Sequence, residues 1–261
     1  MDMATDFLFG ESTNSLLEDQ YGYHSKLKGF AESVQYAQDR IAMHMALGKW
    51  ALLKPDPKFR HHVRVVHKFA DELVEKALQE RDSGSKTQPY VLLRALVEDV
   101  QDPIQVRDEV LNILIAGRDT TASLISNIFL MLSTRPQLWS MLQNEVAQFN
   151  NQLPKIDDIS QCKYLRYTIN ESLRLFPPVP VNSRIANCDT ILPRGGGPMG
   201  ETPLFIPKGT PVIYNVFGLH RRQDIYGADA EEFNPFRWQS LRLSWEFLPF
   251  SGGPRICIGR K

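Results

Sequence analysis

The sequence is poor in cysteine, in net charge and in long apolar runs. Its 261 residues include three cysteines, too few and too scattered for a disulfide framework, and this favours a reducing compartment. Thirty basic residues balance thirty acidic ones, so the overall charge does not favour nucleic acid or an anionic surface as the main partner. A hydrophobic content of 43% and a charged content of 23% are typical of a globular protein.

Two further absences concern membranes. The uncharged run Thr120–Thr134 is shorter than the roughly 20 apolar residues that a bilayer span needs, and it contains Ser and Asn. We interpret it as a helix buried in protein. The first residues, Met-Asp-Met-Ala-Thr-Asp, lack the basic start and apolar core of a signal peptide. We therefore expect neither an anchor nor a signal peptide in this chain.

Periodicity and capping signals predict a mainly helical chain. Asp102 followed by Pro103 is typical of an N-cap with proline at the first helical position, and this helix can run to about Ser133. Residues 4–18 mix helical spacing with a glycine interruption, as at the end of an element whose beginning is missing. Further helices are predicted at 30–53, at 57–81, from about Pro136, and at 159–176.

After Phe176 the pattern changes to short strands. Residues 179–192 and 203–217 are predicted strands, with a turn at Ile206–Gly209 between them. The phrase Arg194–Pro198 is rich in glycine and could be taken for a phosphate cradle. No strand-to-helix context follows it, so we interpret it as a loop. The resulting fold class is mainly α with a minor β region.

A cysteine motif lies near the last residue, with Phe250, Gly253, Arg255, Cys257 and Gly259 at the spacing F-x-x-G-x-R-x-C-x-G. A lone cysteine is usually a small buried apolar residue, but five spaced positions suit a thiolate ligand to haem iron. The glycines would let the backbone bend tightly and approach the porphyrin, and Phe250 would cover the sulfur. Arg255, on the same side of an extended loop, would meet a haem propionate.

The segment Ile115–Thr121 lies in the middle of the long predicted helix. An interior glycine costs about 1 kcal/mol relative to alanine, so Gly117 beside Ala116 indicates a close approach to the backbone. Thr120 can bond back to the carbonyl of Ala116, and Asp119 is rotated by about 100° towards a polar channel. An alcohol with an acid behind it can relay protons into an apolar pocket. The alternative is a helix packed on its small residues, with Thr120 and Asp119 in the core by accident.

The Ile115–Thr121 segment and the cysteine motif, in the order in which they occur along the chain, resemble the motifs of the cytochrome P-450 monooxygenases. The resemblance implies haem b with Cys257 as axial iron ligand, Thr120 as the alcohol and Asp119 as the acid of oxygen activation. It also matches Arg184 to a position that often binds a haem propionate, although a surface arginine is the alternative. His220 matches a similar position.

A third pattern is structural. Glu171 and Arg174 share a helix face, and an exposed pair of this kind contributes less than about 1 kcal/mol. Cytochromes P-450 join such an E-x-x-R inside the protein to an arginine from a later loop. The phrase Phe233–Trp238 resembles that loop, so Arg237 would be the third member. Phe236 stands where glutamate is common, which puts a secondary contact in doubt.

Two regions allow more than one interpretation. His61, His62 and His67 lack the three- or four-residue spacing of ligands on one helix face, so a solvated face is favoured over a metal site. By resemblance, the two predicted helices on either side of Lys54–Pro57 roof a substrate cavity and can meet a membrane at their connection. An ordinary helical hairpin is the alternative.

The resemblance covers the family's middle and most of its C-terminal half, so we expect 1–261 to be a single partial haem domain. The N-terminal anchor, the early helices and the helix that follows Cys257 would be missing. Residues 4–18 and Arg194–Pro198 resemble the fungal branch that oxidises alkanes and fatty acids.

That branch implies hydroxylation of a long-chain apolar substrate with O2 and electrons from an NADPH-dependent cytochrome reductase. It also implies the endoplasmic reticulum membrane for full-length relatives. Because the charges balance, we expect no nucleic-acid partner. The alternative is a truncated, non-catalytic remnant or partial gene model with at most weak haem or lipid binding.

Overall fold

A computed structural model describes residues 2–10, 12, 28–53, 55–83, 92–150 and 152–260 of the chain. Its contacts divide the chain into two compact units, Met1–Asp119 and Thr120–Lys261. The fold is mainly helical with small antiparallel sheets, which confirms the predicted fold class. Within the described residues, no helix has both the length and the apolar character that crossing a membrane requires.

The first unit is helical. Its elements are α1 (Asp2–Phe9), α2 (Lys28–Leu47) with a 3-10 turn (Gly48–Leu53), α3 (Pro57–Asp82), α4 (Leu92–Asp99) and the first part of α5 (Pro103–Ser133). The capping signal predicted the start of α5 correctly, because the Asp102 carboxylate accepts the Ile104 N–H at 3.0 Å. The predicted helix pair also forms, whereas α4 was not predicted. Of the segment 4–18, only 4–10 and 12 are described.

One apolar core holds the first unit together. On α5, Val106, Val110 and Leu114 lie four residues apart and are each at most 1% exposed. They share a helix face, which packs with buried side chains of α1 to α4, among them Phe30 and Val74. This spacing fixes which face of α5 points away from the core of the unit.

The second unit combines helices with two two-stranded sheets. Its helices after α5 are α6 (Pro136–Ala147), α7 (Ile156–Gln161), α8 (Lys163–Leu175), α9 (Val216–Leu219) and α10 (Gln223–Tyr226). Its strands are β1 (Val181–Ile185), β2 (Thr190–Gly196), β3 (Thr202–Ile206) and β4 (Pro211–Asn215). Short 3-10 turns follow at Pro235–Gln239, Gly253–Arg255 and Ile258–Arg260. β1 pairs with β4, and β2 pairs with β3, in both cases antiparallel.

The strand prediction was wrong in its boundaries. The segment 179–192 is not one strand, because β1 and β2 are separate and belong to different sheets. Arg194–Gly196 is the end of β2 and not a loop, since Gly196 pairs with Thr202. The turn after Ile206 is confirmed: the Thr210 N–H donates to the Pro207 carbonyl at 3.1 Å, and Gly209 has a φ of +84°. Few strand residues are buried. Neither face of these strands therefore needs to be apolar, and the alternation of apolar and polar residues that marks a strand in a sequence was weak.

Gly196 is required by packing in the β2–β3 pair. An added Cβ would lie 2.4 Å from the main-chain oxygen of Pro203, which cannot move without disturbing the strand. We expect Gly196→Ala to lower the free energy of unfolding by about 1–3 kcal/mol in urea denaturation. Gly29→Ala is the control, because no atom of the described residues outside the nearby helix backbone lies within 4 Å of its added Cβ. An equal loss in both variants would contradict the packing argument.

Candidate functional site

The cysteine motif forms one closed loop. The Cys257 N–H donates to the Phe250 carbonyl at 2.9 Å, and the Ile256 N–H donates to the Gly253 carbonyl at 3.1 Å. Cys257 is a free, exposed cysteine, and no group in the described part of the chain hydrogen-bonds its Sγ. The loop therefore presents a sulfur whose lone pairs are available to a ligand.

The glycines of the loop differ in what they require. Gly253 has a φ of +71°, a conformation that favours glycine, and in the described part of the chain no atom other than those of its chain neighbours lies within 4 Å of an added Cβ. Gly259 has a φ of −84°, which any residue adopts, and its added Cβ would lie 3.8 Å from the Cys257 Sγ. The backbone conformation thus explains why residue 253 is glycine. The backbone conformation at position 259 does not require glycine.

Sequence reasoning missed two features of the same loop. Ser251 has a φ of +64°, unusual for a residue with a side chain, and its Oγ lies 3.2 Å from the Tyr214 hydroxyl of β4. An added Cβ on Gly252 would lie 2.5 Å from the Trp245 ring. Neither feature has a sequence signal, because each depends on a partner outside the motif.

The two arginines predicted at the haem lie on the surface of the second unit. Arg255 is exposed, and nothing within the described ranges forms a hydrogen bond or ion pair with its guanidinium. Arg184 on β1 is also exposed; it donates to the Ser183 carbonyl at 2.8 Å, and its guanidinium lies 5.6 Å from the ring centre of Tyr214. Tyr214 thus lies beside both Arg184 and the cysteine loop.

The segment predicted to meet oxygen lies within α5. Among the described residues, no atom outside the nearby helix backbone lies within 4 Å of a Cβ added to Gly117, so these residues leave the space beside it open. Asp119 is half-exposed, with a side-chain exposure of 51%, and it accepts a hydrogen bond from Gln38 Nε2 at 2.8 Å. Thr120 is the next residue and is half-buried. Water therefore reaches the Asp119 carboxylate, and Thr120 is less exposed than Asp119.

The predicted Glu171–Arg174–Arg237 triad forms, and it is buried. Both side chains of the E-x-x-R pair are 0% exposed, and two hydrogen bonds of 2.8 and 2.9 Å join Arg174 to the Glu171 carboxylate. Arg237 Nε donates to the same carboxylate at 3.0 Å. Phe236, where glutamate was expected, instead contacts the Tyr164 ring edge-on. These contacts confirm Arg237 as the third member.

Other groups complete the network. The main-chain N–H of Asn234 and the indole N–H of Trp238 donate to Glu171 at 2.9 and 3.0 Å. Arg237 also pairs with Asp229 at 3.0 Å. Burial alone would lower the pKa of the Arg237 guanidinium, but Glu171 and Asp229 outweigh it and hold that pKa above its usual value.

The expectation for His220 was wrong. Its ring is 0% exposed, Nδ1 lies 3.2 Å from the Arg174 carbonyl oxygen, and Nε2 accepts the Leu248 N–H at 2.9 Å. Both nitrogens are therefore used inside the protein, and neither can meet a propionate. Burial lowers the pKa of His220 to about 4, so the ring is neutral at pH 7.

Two other sequence expectations concern metal ligands and thiols. No cluster of three or more His, Cys, Asp or Glu side chains among the residues that the structure covers could hold a metal ion. His62 stacks on Tyr36 and bonds the Ser33 hydroxyl, which is a packing role. Burial raises the pKa of the Cys162 thiol, whereas Cys188 and Cys257 are exposed.

Comparison with known protein families shows which family the chain belongs to. The family model for cytochrome P-450 matches residues 1–261. The chain belongs to the cytochrome P-450 family.

Curated relatives agree with this assignment. The chain is 44% identical to the cytochrome P-450 monooxygenase himC of Aspergillus japonicus, covering 100% of this chain and 48% of the relative. It is 42% identical to cytochrome P-450 52A12 of Debaryomyces hansenii, covering 100% of this chain and 54% of the relative. It is 41% identical to cytochrome P-450 52A1 of Candida tropicalis, covering 100% of this chain and 51% of the relative. The chain spans about half the length of the curated relatives it matches.

The triad generates a stability prediction. Glu171→Gln leaves two buried guanidinium groups facing a neutral amide, so we expect a loss of about 3–5 kcal/mol in the free energy of unfolding. The control is Asp224→Asn, which breaks the exposed Arg222–Asp224 pair and should leave stability essentially unchanged. Urea denaturation of both variants is the measurement. Similar effects in the two variants would show that burial does not govern this network.

His220 generates a pH prediction. Its pKa is about 4 in the folded chain against 6.5 for the free group, so below pH 6.5 the unfolded chain takes up a proton that the folded chain does not. The stabilisation is thus present above pH 6.5 and is lost by pH 4, a difference of up to about 3 kcal/mol. We expect the stability difference between wild type and His220→Gln to shrink by this amount over that range. A difference that stays constant with pH would refute the assignment.

Proposed function

We propose that this chain is the cysteine-bearing part of a haem-thiolate monooxygenase that hydroxylates a long-chain apolar substrate, an alkane or a fatty acid. The observation that carries the proposal is the closed loop that presents the exposed Cys257 Sγ. A thiolate at that place suits haem iron, because no protein group in the described chain competes for the sulfur.

The residues around Cys257 fit the haem in their chemistry. Arg255 is a permanently charged donor in the same loop, free to meet a propionate. Gly253 provides a bend without a Cβ, and Phe250 closes the loop through its carbonyl oxygen. Arg184, beside Tyr214, is a second candidate for a propionate. When bound, a thiolate-ligated haem supplies the activation of dioxygen for insertion into a C–H bond.

On α5 we assign the delivery of protons to Asp119 and Thr120. The half-exposed carboxylate can exchange protons with water, and the Gln38 amide fixes its orientation. The Thr120 hydroxyl, half-buried beside it, would pass the proton inward. Ala116 and Gly117 precede them on the helix, and the open space beside Gly117 would let the haem or oxygen approach the backbone.

A groove in the first unit supports the proposal that the substrate is apolar. It lies between α2, α3 and α5, has a volume of about 310 Å³, and is lined mainly by aliphatic side chains such as Val34, Ile41 and Leu111. Polar groups at its lining include Gln38 and His67. Pockets that are mostly apolar with a few polar groups suit a hydrocarbon chain with a polar end. The resemblance of Arg194–Pro198 to the alkane- and fatty-acid-oxidising branch points to the same substrate class.

The remaining partners of the proposal come from the family. Electrons would come from an NADPH-dependent cytochrome reductase, as in the family that the chain resembles. The membrane of the endoplasmic reticulum is the expected location.

The test is haem titration of the chain, followed by the carbon-monoxide difference spectrum of the reduced protein. We expect a Soret band at the thiolate position for wild type and its loss in Cys257→Ser, because serine does not supply a thiolate. The matched control is Cys188→Ser, which changes another exposed cysteine and should keep the band. A featureless wild-type spectrum would favour a non-catalytic remnant, and a band that survives Cys257→Ser would exclude Cys257 as the ligand.

A further inference from the structure

Leu248 stands at the entrance to the Cys257 loop and is held on both sides. Its N–H donates to the Nε2 of His220 at 2.9 Å, and its carbonyl accepts the Ser251 N–H at 3.2 Å. The loop then closes when the Cys257 N–H donates to the Phe250 carbonyl at 2.9 Å. The hydrogen bond to the His220 ring thus holds the main chain at Leu248, where the segment that leads into the cysteine loop begins.

The other side of the His220 ring faces Arg174. Because the Arg174 carbonyl oxygen, 3.2 Å from Nδ1, can only accept, Nδ1 carries the hydrogen and the lone pair of Nε2 receives Leu248. Arg174 Nη1 donates in return to the His220 carbonyl at 2.9 Å. The ring is 0% exposed, so water does not compete for these bonds.

A second buried side chain acts in parallel. The Tyr226 hydroxyl donates to the Glu246 carbonyl at 2.9 Å, two residues before Leu248. The Arg174 guanidinium lies 5.0 Å from the centre of the Tyr226 ring, and Arg237 donates to the Tyr226 carbonyl at 2.7 Å. Two side chains, His220 and Tyr226, therefore hold the segment that leads into the loop, and Arg174 contacts both of them.

We propose that His220 is a positioning residue for the Cys257 loop: its ring joins the Arg174 main chain to the Leu248 N–H and so sets where the cysteine is presented. His220 acts through Leu248 and makes no contact with Cys257. Only the consequence for haem ligation rests on the proposed function, because the hydrogen-bond path exists whatever the sulfur binds. A side chain that merely filled the core would be replaceable by an apolar residue of similar size.

The experiment uses the 261-residue chain and its amide hydrogen exchange. In His220→Leu, which removes both ring nitrogens, we expect the Leu248 and Cys257 amides to exchange about 10- to 100-fold faster, with the β1–β4 amides unchanged. In His220→Gln the side-chain oxygen can still accept the Leu248 N–H, so we expect at least partial rescue. His61→Gln, at an exposed histidine, is the control and should change neither.

Three results would overturn the proposal. These are unchanged exchange at Leu248 and Cys257 in His220→Leu, acceleration spread evenly over the second unit, or no difference between the Leu and Gln variants. If His220→Leu does not fold, the ring nitrogens of the wild-type chain decide by 15N NMR. The proposal requires hydrogen on Nδ1 and a bare, accepting Nε2 at pH 7, and the opposite tautomer contradicts it.

A spectroscopic readout separates this proposal from the function it serves. In haem-loaded protein we expect His220→Leu to lose at least half of the thiolate-type carbon-monoxide band, with recovery in His220→Gln. If wild type shows no such band, the proposed function fails, while the exchange data still decide whether His220 positions the loop. If the band is equal in all variants, the link from His220 to the sulfur is refuted.

Discussion

The second unit depends on one buried carboxylate. Glu171 accepts five hydrogen bonds, from both guanidinium groups, the indole of Trp238 and the main chain of Asn234. A carboxylate at 0% exposure would be very unfavourable without such partners, and the two guanidinium groups would be equally unfavourable without it. Each member therefore makes the burial of the others possible, and the segments that carry them must keep their places.

The charges in this network balance only when Asp229 is included. Glu171 offers one negative charge to two guanidinium groups, and Asp229 supplies the second through Arg237. Hydrogen bonds from Asn234 and Arg237 hold the pKa of Asp229 below its usual range. Arg174 directs its remaining donors at the carbonyl oxygens of His220, Ala230 and Glu232. Its fork of fixed donors thus specifies where three separate pieces of main chain must lie.

The sequence predicted those parts whose signals are local. The Asp102–Pro103 start of the long helix, the helix pair interrupted around Lys54–Pro57 and the E-x-x-R spacing each depend on neighbouring residues, and the structure agrees with all three. The strands were poorly bounded because most of their residues are exposed, so hydrophobic alternation was weak. The short helix Leu92–Asp99 was missed altogether.

The candidate site divides in the same way. The motif gave the cysteine and its neighbours, but it contained nothing about how the loop is held. His220 bonds main-chain atoms 46 and 28 residues away, and a main-chain partner leaves no trace in residue types. Tyr226 likewise holds the carbonyl of Glu246, 20 residues away. The family position of His220 suggested a propionate, whereas complete burial gives the ring a role within the protein.

The energetic argument leads to the same view of the network. Replacing a buried ion pair by apolar side chains of similar volume is often neutral or stabilising, so Glu171 and the two arginines are a weak source of net stability. What an apolar cluster cannot do is point donors at chosen carbonyl oxygens, among them that of His220, whose tautomer is set by the main-chain carbonyl of Arg174. That tautomer leaves Nε2 free to take the Leu248 N–H, and from Leu248 the chain turns through Ser251, which holds a φ of +64°. A residue in that conformation persists only where its surroundings fix the backbone on both sides. The buried charges therefore contribute mainly geometry, and the place of the Cys257 sulfur follows from it.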